Sequence, residues 1–138
     1  MNDDFGEILS SLSENARFVL QKADYFAKKY NHSNMGTEHM LLGILDHDCV
    51  AARILQDEGI DLAKVEKQMK TPAKEVKGSP MAMMSLSESL ILTLRVAHRV
   101  VTEQGLSTIG TEHILYTLLT QPNSRARLIL KELNVNVD

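Results

Sequence analysis

Two carboxylates offer the most chemistry in this sequence. Glu38 and Glu112 each stand in the tetrapeptide Gly-Thr-Glu-His, at Gly36–His39 and again at Gly110–His113. In both places an apolar run of helical spacing follows at once, so each Glu falls in the first turn of a helix. A helix start offers unpaired backbone N–H groups and a partial positive charge, which together attract an anion. A carboxylate beside it can accept the N–H groups of a guanidinium as a bidentate partner. A ligand with a cation next to an anion matches both halves, and a phosphorylated arginine is such a ligand. A simpler reading stands beside this one, in which each Glu only stabilises its own helix end through the dipole. Repetition does not choose between them, because a duplication copies both kinds of residue equally well.

His39 and His113 come next in line. Two His at matched positions suggest a metal, but no carboxylate or second His stands four residues on from either. A His cation is also disfavoured near a helix start. Both are read as packed, hydrogen-bonded histidines, and no metal is expected. Other chemistry is missing. The chain has no Gly-Lys pair, hence no Walker-A phosphate cradle, and no H-E-x-x-H, C-x-x-C or complete twelve-residue calcium loop. The segment Gly105–Gly110 is one residue too long for a nucleophile elbow. Cys49, two residues from His47, reads as a small half-buried helix residue. No catalytic residue and no cofactor are expected.

The elements that must position the two glutamates emerge from the repetition itself. The offset of 74 residues between the tetrapeptides also aligns Ser13-Glu14 with Ser87-Glu88, Leu20 with Leu94, Ala23 with Ala97 and Leu41 with Leu115. One extra residue then brings Ile54-Leu55 onto Ile129-Leu130. The chain is a duplication. In each copy a long helix is predicted first, over Ser13–Tyr30 and Ser87–Gln104, from apolar residues three and four apart. Asn31 and Gly105 follow these helices, and Gly59 and Asn134 follow the later ones, as left-handed C-caps. A second helix opens at Thr37 and Thr111, with Thr as the N-cap. A third is predicted over Cys49–Glu58 and Ser124–Leu133, capped by Asp48 and Asn123. A fourth, Leu62–Lys70 with Asp61 as its cap, has no room in the second copy before residue 138. Gly43, inside the second helix, is expected to permit close helix approach, and its counterpart Thr117 is also small. Pro72, Gly78 and Pro80 mark 71–85 as a linker between repeat 1 (about 13–70) and repeat 2 (about 86–138). Met81, Met83 and Met84 there are either partner contacts or buried against the repeats. Phe5, Ile8, Leu9 and Leu12 are either a core clasp or part of an exposed groove. No strand is expected, so the fold class is all-α, with two tandem pseudo-symmetric four-helix repeats packed as one domain and the second cut short.

Composition bounds the function. Among 138 residues, 43% are apolar and the net charge is −3, too apolar and too weakly charged for a disordered chain. That acidic balance lacks the basic face a nucleic acid or an anionic membrane would need. One Cys excludes an internal disulfide, as suits a reducing cytoplasm. No apolar run approaches the ~20 residues of a bilayer span, and Met1–Leu12 lacks the pattern of a signal peptide.

The patterns GTEHMLLGIL and VAARIL in the first copy, with GTEHILYTLL in the second, resemble the paired repeat of the Clp amino-terminal domain. The resemblance runs from about Ser13 to Val135, and GTEH in both copies is similar to the ClpC type. It implies a non-catalytic recognition domain ahead of the ATPase rings of an AAA+ unfoldase that feeds a ClpP-type protease. Implied partners are adaptor proteins and phosphoarginine-bearing substrates, one site per repeat. Glu38 and Glu112 are then the guanidinium partners, with Thr37 and Thr111 at the adjoining helix starts near the phosphate. Some residues depart from the pattern. Asn31-His32 stands where relatives usually have Gly-His, and in the second copy that His is Leu106. Gln121–Arg127 matches the usual loop and Val-Ala-Ala-Arg less well than Asp48–Arg53 does, so the second pocket is the less faithful. An alternative role is a stand-alone accessory protein that docks on a Clp ring without binding phosphoarginine; a third is an enzyme using the duplicated Glu and His.

Overall fold

Apolar residues three and four apart become buried stripes in the computed structural model, which describes residues 3–30, 32, 34–69, 85–122 and 124–133. Its helices are α1 (Asp3–Ser10), α2 (Glu14–Lys29), α3 (Thr37–Leu45), α4 (Val50–Asp57), α5 (Leu62–Glu66), α6 (Glu88–Glu103), α7 (Thr111–Thr120) and α8 (Arg125–Glu132). There is no strand among the described residues, so the fold is all-α as expected. None of these helices is long and apolar enough to cross a membrane.

The long helices match across the repeats. Ser13 and Ser87 are their N-caps, each hydroxyl accepting the N–H of the third residue on, Ala16 or Leu90, at 3.1 Å. The buried faces follow the expected register: Ala16, Val19, Leu20, Ala23, Phe26 and Ala27 on α2, and Leu90, Thr93, Leu94, Ala97 and Val101 on α6. Gly59 and Gly105 adopt left-handed φ of 82° and 77°, as expected of helix C-caps. Asn31 and Asn134, the other two expected caps, lie outside the described residues, as do Met81, Met83 and Met84.

Several boundaries differ from expectation. The N-caps of α3 and α7 are Gly36 and Gly110, with Thr37 and Thr111 the first helical residues. Both threonine hydroxyls are engaged elsewhere. Thr37 Oγ1 accepts the N–H of Ala126 in α8 at 3.1 Å, and Thr111 Oγ1 accepts that of Ala51 in α4 at 3.4 Å. The caps of α4 and α8 are Cys49 and Ser124, one residue later than expected. Asp61 does cap α5, accepting from Lys64 N–H at 2.9 Å, but the helix ends at Glu66. Residues 3–10 form a helix that the sequence pattern did not reveal, with Ile8 buried on its inner face and Phe5 and Leu9 packed against the core. The amino-terminal apolar residues are therefore a core clasp.

One cluster of buried side chains draws on both repeats, each fully buried Leu, Ile or Met contributing about 1.5 to 3 kcal/mol of transfer free energy. At its centre α3 packs on α2 closely enough that a Cβ on Gly43 would lie 2.6 Å from the Val19 carbonyl oxygen. Two single-pair parallel bridges stitch the repeats together. Ile109 donates to Ser11 O and accepts from Ser13 N, both at 2.9 Å. Met35 donates to Ser85 O at 2.9 Å and accepts from Ser87 N at 2.7 Å. Each bridge joins the residue before a Gly-Thr-Glu-His segment to the start of the other repeat's long helix.

Candidate functional site

That stitching brings three helix starts to one place. Met35 is tied to Ser87, so the first turn of α3 lies against the first turn of α6. Thr37 is tied to Ala126, which adds the first turn of α8. Between them is a cavity of about 250 Å³ lined by His32, Asn34, Gly36 to His39, Ser87, Ser89 and Arg125. Three positive dipole ends converge there, an arrangement that favours an anion.

Glu38 lies in this cavity at 9% exposure. Its carboxylate folds back over Gly36, where any Cβ would overlap Oε1. Glu112 folds over Gly110 in the same way. The glycine of each tetrapeptide therefore makes room for the carboxylate two residues on, since the backbone at Gly36 (φ −117°, ψ −177°) is open to any residue. Among the described residues, no donor hydrogen-bonds to Glu38; His32 Nδ1 approaches its carboxylate no closer than 4.0 Å.

His39 explains its own charge state. The N–H of Gly36 donates to His39 Nδ1 at 2.8 Å, the returning half of a capping box with His in place of the usual Glu or Gln, since glycine has no side chain to supply the other half. With that lone pair occupied, the neutral ring carries its proton on Nε2 and donates it to His32 Nδ1 at 2.7 Å. Burial pushes His39 down to about 4; the Glu38 carboxylate opposes this, and His32 and Arg125 add to it. His113 repeats the cap, accepting the Gly110 N–H at 2.8 Å. Both histidines are hydrogen-bonded within the fold, as the sequence reading held.

His32, Glu38 and His39 each place a ligand-type atom within 4.8 Å of the others. A metal on His39 Nε2 would force its proton onto Nδ1, against the Gly36 N–H. Ligating histidines instead aim their second nitrogen at an acceptor. The trio is a hydrogen-bond relay in this form, not a ligand cage.

All four residues singled out in the sequence sit at helix starts, but not equivalently. Thr37 and Thr111 are buried, each hydroxyl oxygen taking a backbone N–H from the other repeat while keeping its proton to donate. Glu112 is exposed where Glu38 is buried. His32 and Arg125 were missed. The sequence held a partial signal for His32, since Leu106 marks the absence of its counterpart; it held none for Arg125, which arrives from the other repeat.

The model of the Clp repeat (R) N-terminal domain matches residues 11–133. A chaperone protein ClpB of Oceanobacillus iheyensis is 28% identical over 134 residues, 91% of this chain and 16% of the relative. An ATP-dependent Clp protease ATP-binding subunit ClpC of Staphylococcus saprophyticus is 30% identical over 138 residues, 94% of this chain and 16% of the relative. The chain thus spans about a sixth of the length of these relatives. The crystal structure of the N-terminal domain of the chaperone ClpD from Arabidopsis thaliana superposes with a TM-score of 0.75 at 21% identity, covering 93% of this chain and 88% of that one. With the family match spanning nearly the whole sequence and the fold agreeing with it, this chain belongs to the Clp N-terminal domain family.

Proposed function

We propose that the chain is a non-catalytic recognition domain that takes phosphoarginine-marked proteins, or adaptors, for an unfoldase of the ClpC type. The observation that carries this reading is Glu38, a largely buried side chain whose carboxylate has no hydrogen-bond donor among the described residues, set in a cavity where three helix starts meet. A guanidinium fits the carboxylate bidentately. The phosphoryl group on that guanidinium is then delivered to the helix starts, where the N–H groups and the Thr37 hydroxyl proton serve as donors. Glu112 and Thr111 form the second, more open site. Partners of the whole assembly, the Clp ATPase rings and a ClpP-type protease, belong to this proposal as well, as does a cytoplasmic location.

Titrating free phosphoarginine into the protein, followed by NMR or calorimetry, tests the reading. Saturable binding, weakened by Glu38→Ala and by Glu112→Ala, is the expected result. No binding at millimolar ligand overturns it and leaves docking on a Clp ring without the mark. Release of phosphate in the same samples would overturn the non-catalytic assignment.

A further inference from the structure

Among the described residues lining the cavity, Arg125 is the one arginine or lysine, and it comes from the second repeat while Glu38 comes from the first. It is exposed and makes no ion pair or hydrogen bond among the described residues. Its field nevertheless reaches the cavity floor, where it helps keep His39 neutral. It precedes Ala126, whose N–H is held by Thr37. The matching position in the first repeat precedes Ala51, whose N–H is held by Thr111, and is Val50, at 48% exposure. The backbone contact is therefore shared, and at this position the first site carries a cation where the second carries Val50.

We infer that Arg125 is a specificity-determining residue of the first site, holding the phosphoryl group and rejecting an unmodified arginine, and that the second site lacks this selection. The inference rests on the proposed function and deepens it. An unmodified guanidinium brings one positive charge to Glu38 and meets the repulsion of Arg125. A phosphorylated one brings a dianionic group that Arg125 attracts. One side chain thus raises affinity for the mark and lowers affinity for its absence. At the second site Val50 takes that position and Glu112 is exposed, so the helix starts act on the phosphoryl group without this cation. A further difference is salt: an exposed cation acting on an anion is screened, so first-site affinity falls more steeply as ionic strength rises.

The test isolates the first site in a Glu112→Ala background and follows binding of phosphoarginine and of arginine by NMR. Arg125→Val is expected to weaken phosphoarginine by about tenfold or more, the scale of one charge-assisted hydrogen bond, and to leave arginine binding equal or tighter. The converse substitution, Val50→Arg in a Glu38→Ala background, is expected to tighten phosphoarginine at the second site. Arg125 is exposed, so circular dichroism on the variant separates loss of binding from loss of fold. If phosphoarginine binds and Arg125→Val changes neither its affinity nor the ratio between ligands, this inference fails while the proposed function stands. If the unsubstituted protein binds no phosphoarginine at all, the proposed function fails and the inference with it.

Discussion

The hydroxyl of Thr37 accepts the backbone N–H of Ala126, 89 residues further along the chain. A threonine at the first position of one helix thereby caps a helix of the other repeat, and Thr111 returns the arrangement with Ala51. Removing the hydroxyl leaves a buried N–H without a partner. Thr37→Val is expected to cost about 1 to 2 kcal/mol of stability in urea denaturation, and Thr37→Ser much less. The longer bond at Thr111 predicts a smaller loss for Thr111→Val. Equal stability of the Val and Ser variants would show that the hydroxyl contributes nothing.

Gly36 tests the placement of the carboxylate. Its extended backbone accepts alanine, and the new Cβ meets only the end of the flexible Glu38 side chain. Gly36→Ala should cost about 1 kcal/mol or less yet lower phosphoarginine affinity at the first site by displacing Glu38. A variant that binds as before would mean the folded-back position of the carboxylate is irrelevant.

At Gly43 the same substitution meets backbone. An alanine Cβ would press on the Val19 carbonyl and the Ala23 N–H, neither of which can rotate away. Gly43→Ala should therefore destabilise by about 1 to 3 kcal/mol through overpacking, even though alanine favours helices. A thermal melt at or above that of the parent would disprove the close approach of α2 and α3.

Acid should expose the buried histidine. His39 sits at about 4 in the fold, below its ordinary 6.5, so the unfolded chain takes up the proton first. Its contribution is complete above pH 6.5 and is lost as pH falls toward 4, by on the order of 3 kcal/mol. Chemical denaturation between pH 7 and 4 should show that slope, and His39→Gln should flatten it. An unchanged slope in the variant would assign the titration to another group.

The parts of the fold that were legible in the sequence are those set by local pattern. The stripes of α2 and α6, their serine caps and the left-handed Gly59 and Gly105 depend on residues within a few positions of one another. The illegible parts depend on distance along the chain. Thr37 and Thr111 look like N-caps because nothing local shows that their hydroxyls are spent on Ala126 and Ala51; glycine takes the cap position, and His39 and His113 take the reciprocal role. Helix α1 was hidden by its brevity, only eight residues with Gly6 among them. Within the candidate site, Glu38 was visible because the tetrapeptide is repeated. His32 lies in an irregular segment, and Arg125 reaches the cavity only through the pairing of the repeats.

The bridges at Met35 and Ile109 carry a consequence for the chain's continuity. Every hydrogen bond in them joins residues on opposite sides of 70–84, and Thr37 and Thr111 add two more. A peptide cut within that stretch breaks none of these bonds and removes none of the described core residues. The severed halves should migrate together in native size exclusion and separate only in denaturant. Either half made alone would carry a Gly-Thr-Glu-His segment whose preceding residue has nothing to pair with. A second copy of the same repeat would offer that edge the partner it has here, so the fused chain holds within one molecule a pairing that two separate repeats would have to find by association.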